Sequence, residues 1–473
     1  MTRQRRVDTV ATGEPAAAAP ALSRRGAGRR VPPGPPLRTV PSLMRKLWFD
    51  RLSLMGDAAA EFGDAVLFRM GPKHLYYFNH PDHARHVLAD NAASYHKGMG
   101  LAEARRVLGD GLLTSEGEVW QRQRRVIQPA FRRDQVAGLT SLIAGEAAAL
   151  VDRLEGQIGK GPVDIVAEMT RLTFAVLGRG LLATDLAQFG HLGAAFETVQ
   201  DQAMFEMVTL RMLPLWLPLP RHRRFRAALT QLEEVAFRLV AAHENEGTRQ
   251  GHDVLTRLLD ACRDEPSADL RCSRLRDELL TILLAGHETT ASTLSWTWYL
   301  IDRHPEVGER MRAEATQVLG DRIPRYEDLP SLRYTTMVIQ EAMRLYPPVW
   351  ALTRRAVRAD QIGGYDVPAG ADVMICPYTL HRHPGFWPDP HRFDPERFDP
   401  ASAASAHRYA YIPFGAGPRV CVGSHLGMLE ATLVAAMVAR RLRLALVPVR
   451  TVQPEAMLSL RVRGGLPMLV HRR

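Results

Sequence analysis

The chain has 473 residues, 46% of them hydrophobic, which is enough to bury a large core, and it contains no run of eighteen apolar residues that would cross a membrane. Its net charge of +10 balances 61 basic against 51 acidic side chains, but no aromatic-interleaved basic stretch accompanies it, which argues against a nucleic-acid-binding module. Four cysteines without paired spacing argue against a disulfide framework or a zinc site and fit a reducing compartment, the cytoplasm.

Residues 1–36 are rich in Ala, Pro, Gly and Arg and nearly free of large apolar side chains, so they are expected to form a disordered leader. Arg5-Arg6 precedes no apolar stretch and does not read as an export signal. Residues 37–473 are then one domain. Pro41 to Phe62 reads as a single amphipathic helix, and Val66–Met70 with Leu75–Phe78 as an edge hairpin turning at Gly71-Pro72. Pro81 to Asp90 is a further helix candidate. Asn91 to Ser115 is glycine-rich and irregular, a loop region of the kind that carries binding. Beyond it, Trp120 and Arg124 stand four apart on one helical face, where they could grip an anion together or simply pack at the surface.

Val136 to Thr281 carries helical runs and almost no strand alternation. Pro214, Pro218 and Pro220 interrupt them, and Arg221 to Arg224 opens a long helix towards Glu246. Met204, Phe205 and Met207 belong to an apolar stripe that reads as core or as pocket lining. From Leu275 to Asp302 one helical pattern holds Gly286, Glu288, Thr289 and Thr290 at its centre. Those are poor residues for a buried helix, where glycine costs roughly 1 kcal/mol relative to alanine. Thr289 can turn its hydroxyl back to the Ala285 carbonyl and bend the helix, giving either a kink with satisfied polar groups or a groove presenting an acid–alcohol pair.

A helix beginning near Tyr334 places Glu341 and Arg344 three apart, by default a surface ion pair worth little. Val349 to Arg355 leaves it as an extended segment, and Arg397 lies in a proline-rich meander, Phe393-Asp-Pro-Glu-Arg397-Phe398. Ile362 to Ile375 and Pro454 to Val470 read as hairpins, the latter with Met457 and Leu458 near its tip. The fold class is mainly α with a small β region.

Between the meander and the last hairpin runs Tyr411-Ile-Pro-Phe-Gly-Ala-Gly-Pro-Arg-Val-Cys421-Val-Gly423-Ser-His. Apolar residues recur at helical spacing from Leu426 to Arg443, so Cys421 sits in a loop that opens a helix. The helix end is expected to favour thiolate over thiol there. Gly415, Gly417 and Gly423 let the backbone approach something flat and large. Pro418 stiffens the turn, Phe414 offers a ring, and Arg419 offers a fork for a carboxylate. A lone cysteine is ordinarily a small buried hydrophobe, but this string suits a macrocycle with an iron centre and propionate arms. Phe414, Gly417, Arg419, Cys421 and Gly423 match Phe-x-x-Gly-x-Arg-x-Cys-x-Gly, and on them the chain resembles the cytochrome P-450 superfamily over about residues 40 to 470.

The resemblance implies the cytochrome P-450 fold, a helical prism with a long distal helix and a proximal cysteine loop holding haem b through Cys421. It places Trp120, Arg124, Arg354 and Arg419 at the haem propionates, with Arg355 as the alternative to Arg354. Phe414 and Gly423 would lie against the haem on one side and Ala285 on the other. Ala285-Gly286-His287-Glu288-Thr289-Thr290 matches the family's oxygen-activation motif, so Glu288 and Thr289 are expected to deliver protons. His287 is then structural or solvent-facing rather than an iron ligand. Glu341, Arg344 and Arg397 match a structural triad behind the cysteine loop, and Met204, Phe205, Val349, Leu352 and Met457 would face substrate. The activity implied is that of a haem-thiolate monooxygenase acting with dioxygen and two electrons on an apolar small molecule. Electrons from NAD(P)H would arrive through a separate ferredoxin and ferredoxin reductase, docking near Arg125, Arg440 and Arg441 on a monomer. Trp350–Val357, Gly363–Asp372 and Arg122–Phe131 resemble actinobacterial terpene-oxidising members, which makes a mono- or sesquiterpenoid of secondary metabolism the expected substrate. A fatty-acid hydroxylase, a peroxide-using peroxygenase and a non-catalytic haem sensor are the alternatives.

Overall fold

The computed structural model describes residues 30–70, 73–189, 192–209, 213–245, 253–263, 265–403, 406–448 and 451–473. Residues 1–29 of the expected leader lie outside these. Its last part, residues 30–36, is packed: Pro32 is buried, the Pro33 carbonyl accepts from the Leu67 N–H at 2.8 Å, and the Arg30 N–H donates to the Asp366 carboxylate at 2.8 Å. The folded body therefore begins before residue 37.

The first predicted helix is two, Val40–Phe49 (α1) and Arg51–Phe62 (α2), because Asp50 turns the chain and its carboxylate caps α2 by accepting from the Ser53 N–H at 3.2 Å. Ala65–Met70 (β1) and Lys73–Phe78 (β2) pair antiparallel as the expected hairpin, whose Gly71-Pro72 turn lies outside the described residues. The strands alternate strictly. Leu67, Tyr76 and Phe78 face one cluster, while Val66, Phe68, Leu75 and Tyr77 face another that includes Trp350. Pro81–Arg85 (α3) continues as a wider π turn over His86–Asp90. The stretch expected to be irregular contains Tyr95–Lys97 (β3) and Leu101–Leu108 (α4), and Gly117–Ile127 (α5) follows.

The middle of the chain is helical: Arg133–Gly138 (α6), Thr140–Glu155 (α7), then the short strand Val163–Asp164 (β4), Ile165–Leu181 (α8), Leu192–Val208 (α9), Pro220–Asn245 (α10) and Val254–Ala261 (α11). Ala268–Arg303 (α12) runs for 36 residues, with the Ser267 side chain capping it. From Leu275 onward it is buried on nearly every side, the pattern of a central helix rather than an amphipathic surface one. Among the described residues, no helix is long and apolar enough to cross a membrane.

Pro305–Leu319 (α13) and Arg333–Leu345 (α14) pack against the C-terminal half of α12. Leu352–Ala356 (β5), the hairpin Asp360–Ile362 (β6) and Tyr365–Val367 (β7), and Asp372–Ile375 (β8) come next. Only the first half of the hairpin expected over Ile362 to Ile375 is one, since β8 leaves to join the main sheet, ordered β1-β2-β8-β5-β3. Pro377–Leu380 (α15) and Pro400–Ala403 (α16) flank the meander, and Ser424–Arg441 (α17) leads into Leu442–Leu446 (β9). The terminal segment divides likewise: Pro454–Ala456 (β10) and Leu460–Val462 (β11) form the hairpin, while Pro467–Arg472 (β12) pairs with β9 and β4. The fold is mainly α with small sheets, and it brings α12, α17, β5 and the β10–β11 tip around one cavity.

Candidate active site

Three backbone hydrogen bonds fix the loop before α17: Gly415 to Ile412 at 3.0 Å, Cys421 to Phe414 at 3.0 Å and Val420 to Gly417 at 3.1 Å, each N–H donating to the carbonyl. Gly417 is required twice over, by a φ of +69° and because an added Cβ would stand 1.9 Å from the Leu88 carbonyl oxygen. At Gly423, its chain neighbours aside, no atom of the described residues comes closer than 3.7 Å to an added Cβ, which would stand 3.9 Å from the Cys421 sulfur. That glycine keeps clear the space beside the sulfur, a cradle suited to a flat group. Burial pushes the Cys421 thiol above its usual range, while the Gly423 N–H and the Arg124 guanidinium pull it down. The helix-end N–H thus pulls towards the thiolate, the expected direction, but does not prevail. Burial outweighs it, and a metal cation bound at the sulfur would complete the deprotonation.

The exposed side of Cys421 opens on a cavity of about 450 Å³. At one end stand four cations: Lys97, Arg124, Arg354 and Arg419. Arg419 binds the Glu116 carboxylate, its guanidinium lies 4.6 Å from the centre of the Trp120 ring, and that of Arg124 lies 5.6 Å from it. Arg124 also donates to the Val420 carbonyl at 3.0 Å, tying α5 to the cysteine loop. Arg354 is 8% exposed, bonds only the Thr353 carbonyl at 2.8 Å, and makes no ion pair among the described residues. Burial, with Arg419 close by, pushes Arg354 down to about 10 and Lys97 down to about 7. This cluster of cations, set beside the single Glu116 carboxylate that pairs with Arg419, leaves positive charge to be neutralised, and two propionates would do so. Arg355 instead pairs with Asp372 at 2.8 Å, and of the two it is Arg354 that lines the cavity. Lys97, which sequence reasoning missed, donates to the Leu112 and Ser115 carbonyls at 2.8 and 3.0 Å. Gly98 beside it lets the strand pass the Arg354 backbone, which an added Cβ would approach to 2.8 Å.

On the opposite wall the Thr289 hydroxyl donates to the Ala285 carbonyl at 2.8 Å, as the bent-helix reading requires, and Ala285 is exposed to the cavity. Gly286 has a packing reason, since an added Cβ would lie 2.7 Å from a Leu177 methyl of α8. Both Glu288 oxygens are engaged, Oε2 by the Gln200 amide at 2.8 Å and Oε1 by the Ser459 hydroxyl at 2.6 Å; burial raises its pKa. His287 is structural: its Nδ1 pairs with the Leu283 carbonyl at 2.5 Å, its ring stacks on Phe174 at 4.0 Å, and burial lowers it to about 4.

Met204, Val349, Leu352 and Met457 line the cavity, as do Phe414, Met207 and Leu458. Phe205 does not. It lies edge-on to Trp48 at 5.8 Å under the Arg221 guanidinium at 4.4 Å, because a residue adjacent to Met204 on α9 points about 100° away. The Glu341–Arg344 pair is no surface pair either, being 0% exposed on both sides. Arg344 grips both carboxylate oxygens at 2.6 and 2.7 Å and donates to the carbonyls of His381, Pro390 and Arg392, while Arg397 approaches Glu341 at 3.6 Å. Of the arginines expected at a docking face, Arg441 pairs with Glu155 and Arg440 donates to the Gly320 carbonyl. Arg125 is exposed and without an ion pair among the described residues.

Glu430 also went unnoticed, although a lone acid in the apolar run of α17 was a visible signal. It is 4% exposed, lines the cavity, and its Oε1 has no hydrogen-bond partner among the described residues. Burial pushes its carboxyl up to about 8. A raised folded-state value means that stability is present below the unfolded pKa and is lost as pH rises from there through the folded value, about 8. Glu430→Gln, which cannot ionise, is therefore expected to melt at or above the parent temperature, with an advantage that widens from pH 5.5 to pH 8. Melting curves at the two values check this, and a difference that does not depend on pH would contradict it.

Comparison with known proteins agrees with this geometry. The family model described as Cytochrome P450 matches residues 32–466. The chain is 37% identical to cyclooctatin synthase of Streptomyces melanosporofaciens, over 86% of this chain and 88% of that one. It is 36% identical to cyclooctat-9-en-7-ol 5-monooxygenase of the same organism, over 85% and 87%. It is 33% identical to pentalenene oxygenase of Streptomyces avermitilis, over 86% and 89%.

Proposed function

The chain belongs to the cytochrome P450 family and is a monooxygenase of that family, and from this we propose that it hydroxylates a terpenoid in secondary metabolism. The observation that carries the proposal is the cavity itself: methionine, leucine and valine side chains enclose the space in front of the Cys421 sulfur, and the cations are gathered at one end. The names of the relatives, which include cyclooctat-9-en-7-ol and pentalenene, support the terpenoid class.

Family membership implies haem, and the donor set fits it, with Cys421 for the iron and Trp120, Arg124, Lys97, Arg354 and Arg419 for the propionates. When bound, haem supplies the redox centre at which dioxygen is split between substrate and water. The protein's own part is to exclude water, hold the substrate and place a proton. Met204, Leu352 and Met457 give the substrate apolar contact. Burial keeps the Glu288 carboxyl protonated to higher pH, so it can act as a proton donor, and the Thr289 hydroxyl, bonded to Ala285, can pass that proton towards the cavity. Thr289→Ala is accordingly expected to cut product formed per NAD(P)H at least about tenfold, with peroxide released instead. Unchanged coupling in a peroxide assay would contradict the assignment.

Electrons come from NAD(P)H through a separate ferredoxin and its reductase, with Arg125 on the receiving face of a cytoplasmic monomer. Turnover of pentalenene under ¹⁸O₂ with such carriers tests the whole reading. A product carrying one labelled oxygen atom is expected. Hydroxylation of fatty acids alone would overturn the terpenoid assignment.

A further inference from the structure

Glu288 belongs to α12, yet both its partners come from elsewhere, Gln200 from 88 residues earlier in α9 and Ser459 from 171 residues later at the β10–β11 tip. Neither oxygen is bonded to Thr289, whose hydroxyl is turned to Ala285. The acid assigned to proton delivery is thus bonded to groups other than the alcohol assigned to receive the proton. We infer that Gln200 and Ser459 form a clamp that keeps Glu288 out of the relay until a molecule in the cavity displaces α9 or the hairpin tip. This rests on the role given to Glu288 above.

Three further observations support the clamp. Each anchor sits beside cavity-lining side chains of its own element: Met204 and Met207 follow Gln200 on α9, while Met457 and Leu458 immediately precede Ser459, which lines the cavity itself. An occupant that presses on those side chains presses on the elements that carry the anchors. The same two elements are pinned a second time by Arg461 of β11, which pairs with Glu197 on α9 at 3.1 Å and with Glu455 on β10 at 2.8 Å. Glu197 and Gln200 are three apart, on one face of α9. Gln200 is also buried with its Oε1 unpartnered, so its side chain is tethered through Glu288 alone among the described residues. Both anchors are uncharged, so among the described residues Glu288 is held by hydrogen bonds rather than by an ion pair.

The test uses the haem-loaded full chain with purified electron carriers, in the variants Gln200→Leu, Ser459→Ala, Ser459→Thr and Glu288→Gln. Without turnover, the infrared carboxyl absorption of Glu288, identified by its loss in Glu288→Gln, is expected to shift in Gln200→Leu and Ser459→Ala and to be retained in Ser459→Thr. In turnover, Gln200→Leu is expected to raise substrate-free consumption of reductant about fivefold, the factor of one neutral hydrogen bond, while the substrate dissociation constant stays within about twofold. A carboxyl band unmoved in both variants, or substrate-free consumption equal to that of the parent, would overturn the clamp. If Glu288→Gln itself left coupling untouched, the proton-donor reading would fall instead, so the two failures are separable.

Discussion

Replacing Cys421 by serine is expected to abolish monooxygenation by more than about a thousandfold and to change the absorption spectrum of any haem retained. Among the described residues no other cysteine lines the cavity. The loop that presents it is fixed by three backbone bonds, Gly417 fits only without a side chain against Leu88, and Gly423 leaves the space beside the sulfur open. A hydroxyl has a far higher pKa than a thiol, so burial that already raises the thiol would leave serine neutral and a poor donor to iron. Haem content and spectrum of Cys421→Ser, measured beside its turnover, distinguish loss of the ligand from loss of the fold. Retained turnover with an unchanged spectrum would contradict the role assigned to Cys421.

Removing the buried carboxylate, as in Glu341→Ala, is expected to cost about 3–5 kcal/mol, because it leaves the Arg344 guanidinium charged and unpaired in the interior. Native domains hold only about 5–15 kcal/mol, so this variant is expected to lose haem and accumulate poorly. Arg344 organises more than a pair, since its donors also reach three carbonyls of the segment between His381 and Arg392. That segment leads towards the cysteine loop, and the Ile412 N–H donates to the His381 ring at 2.9 Å. Arg344→Lys, which keeps the charge but not the fork, is expected to lie between parent and Glu341→Ala. Urea midpoints and haem content measure both, and near-parent stability for Glu341→Ala would show that the triad is dispensable.

The chemistry was more legible in the chain than the surroundings that control it. Cys421, Phe414, Gly417 and Arg419 are close in sequence, so their pattern survives without tertiary information, and the misfit residues of α12 announced themselves against an apolar helix. Lys97 did not. It ends a three-residue strand whose pairing with β5 (His96 opposite Arg355) is a tertiary fact, and three residues are too few to show a period. Phe205 was misplaced because an apolar run does not say which side of α9 faces inward until Trp48 and Arg221 are seen against it. The depth of Glu341 and Arg344 was hidden for the same reason: spacing gives their pairing, and only packing gives their burial. The clamp on Glu288 joins three segments far apart in the chain, and no local pattern could have revealed it.

One measurement reaches the central claim most directly, namely that an apolar terpenoid enters the cavity facing the Cys421-held haem. Ferric, haem-loaded protein is titrated with terpene hydrocarbons and, separately, with fatty acids while the Soret band is followed. An apolar ligand that displaces water from the haem changes the iron spin state, and a saturable shift with a terpene but not with fatty acids is predicted. A shift with fatty acids alone would contradict the terpenoid assignment, and a haem-replete protein without a thiolate-type spectrum would contradict the account of Cys421 itself.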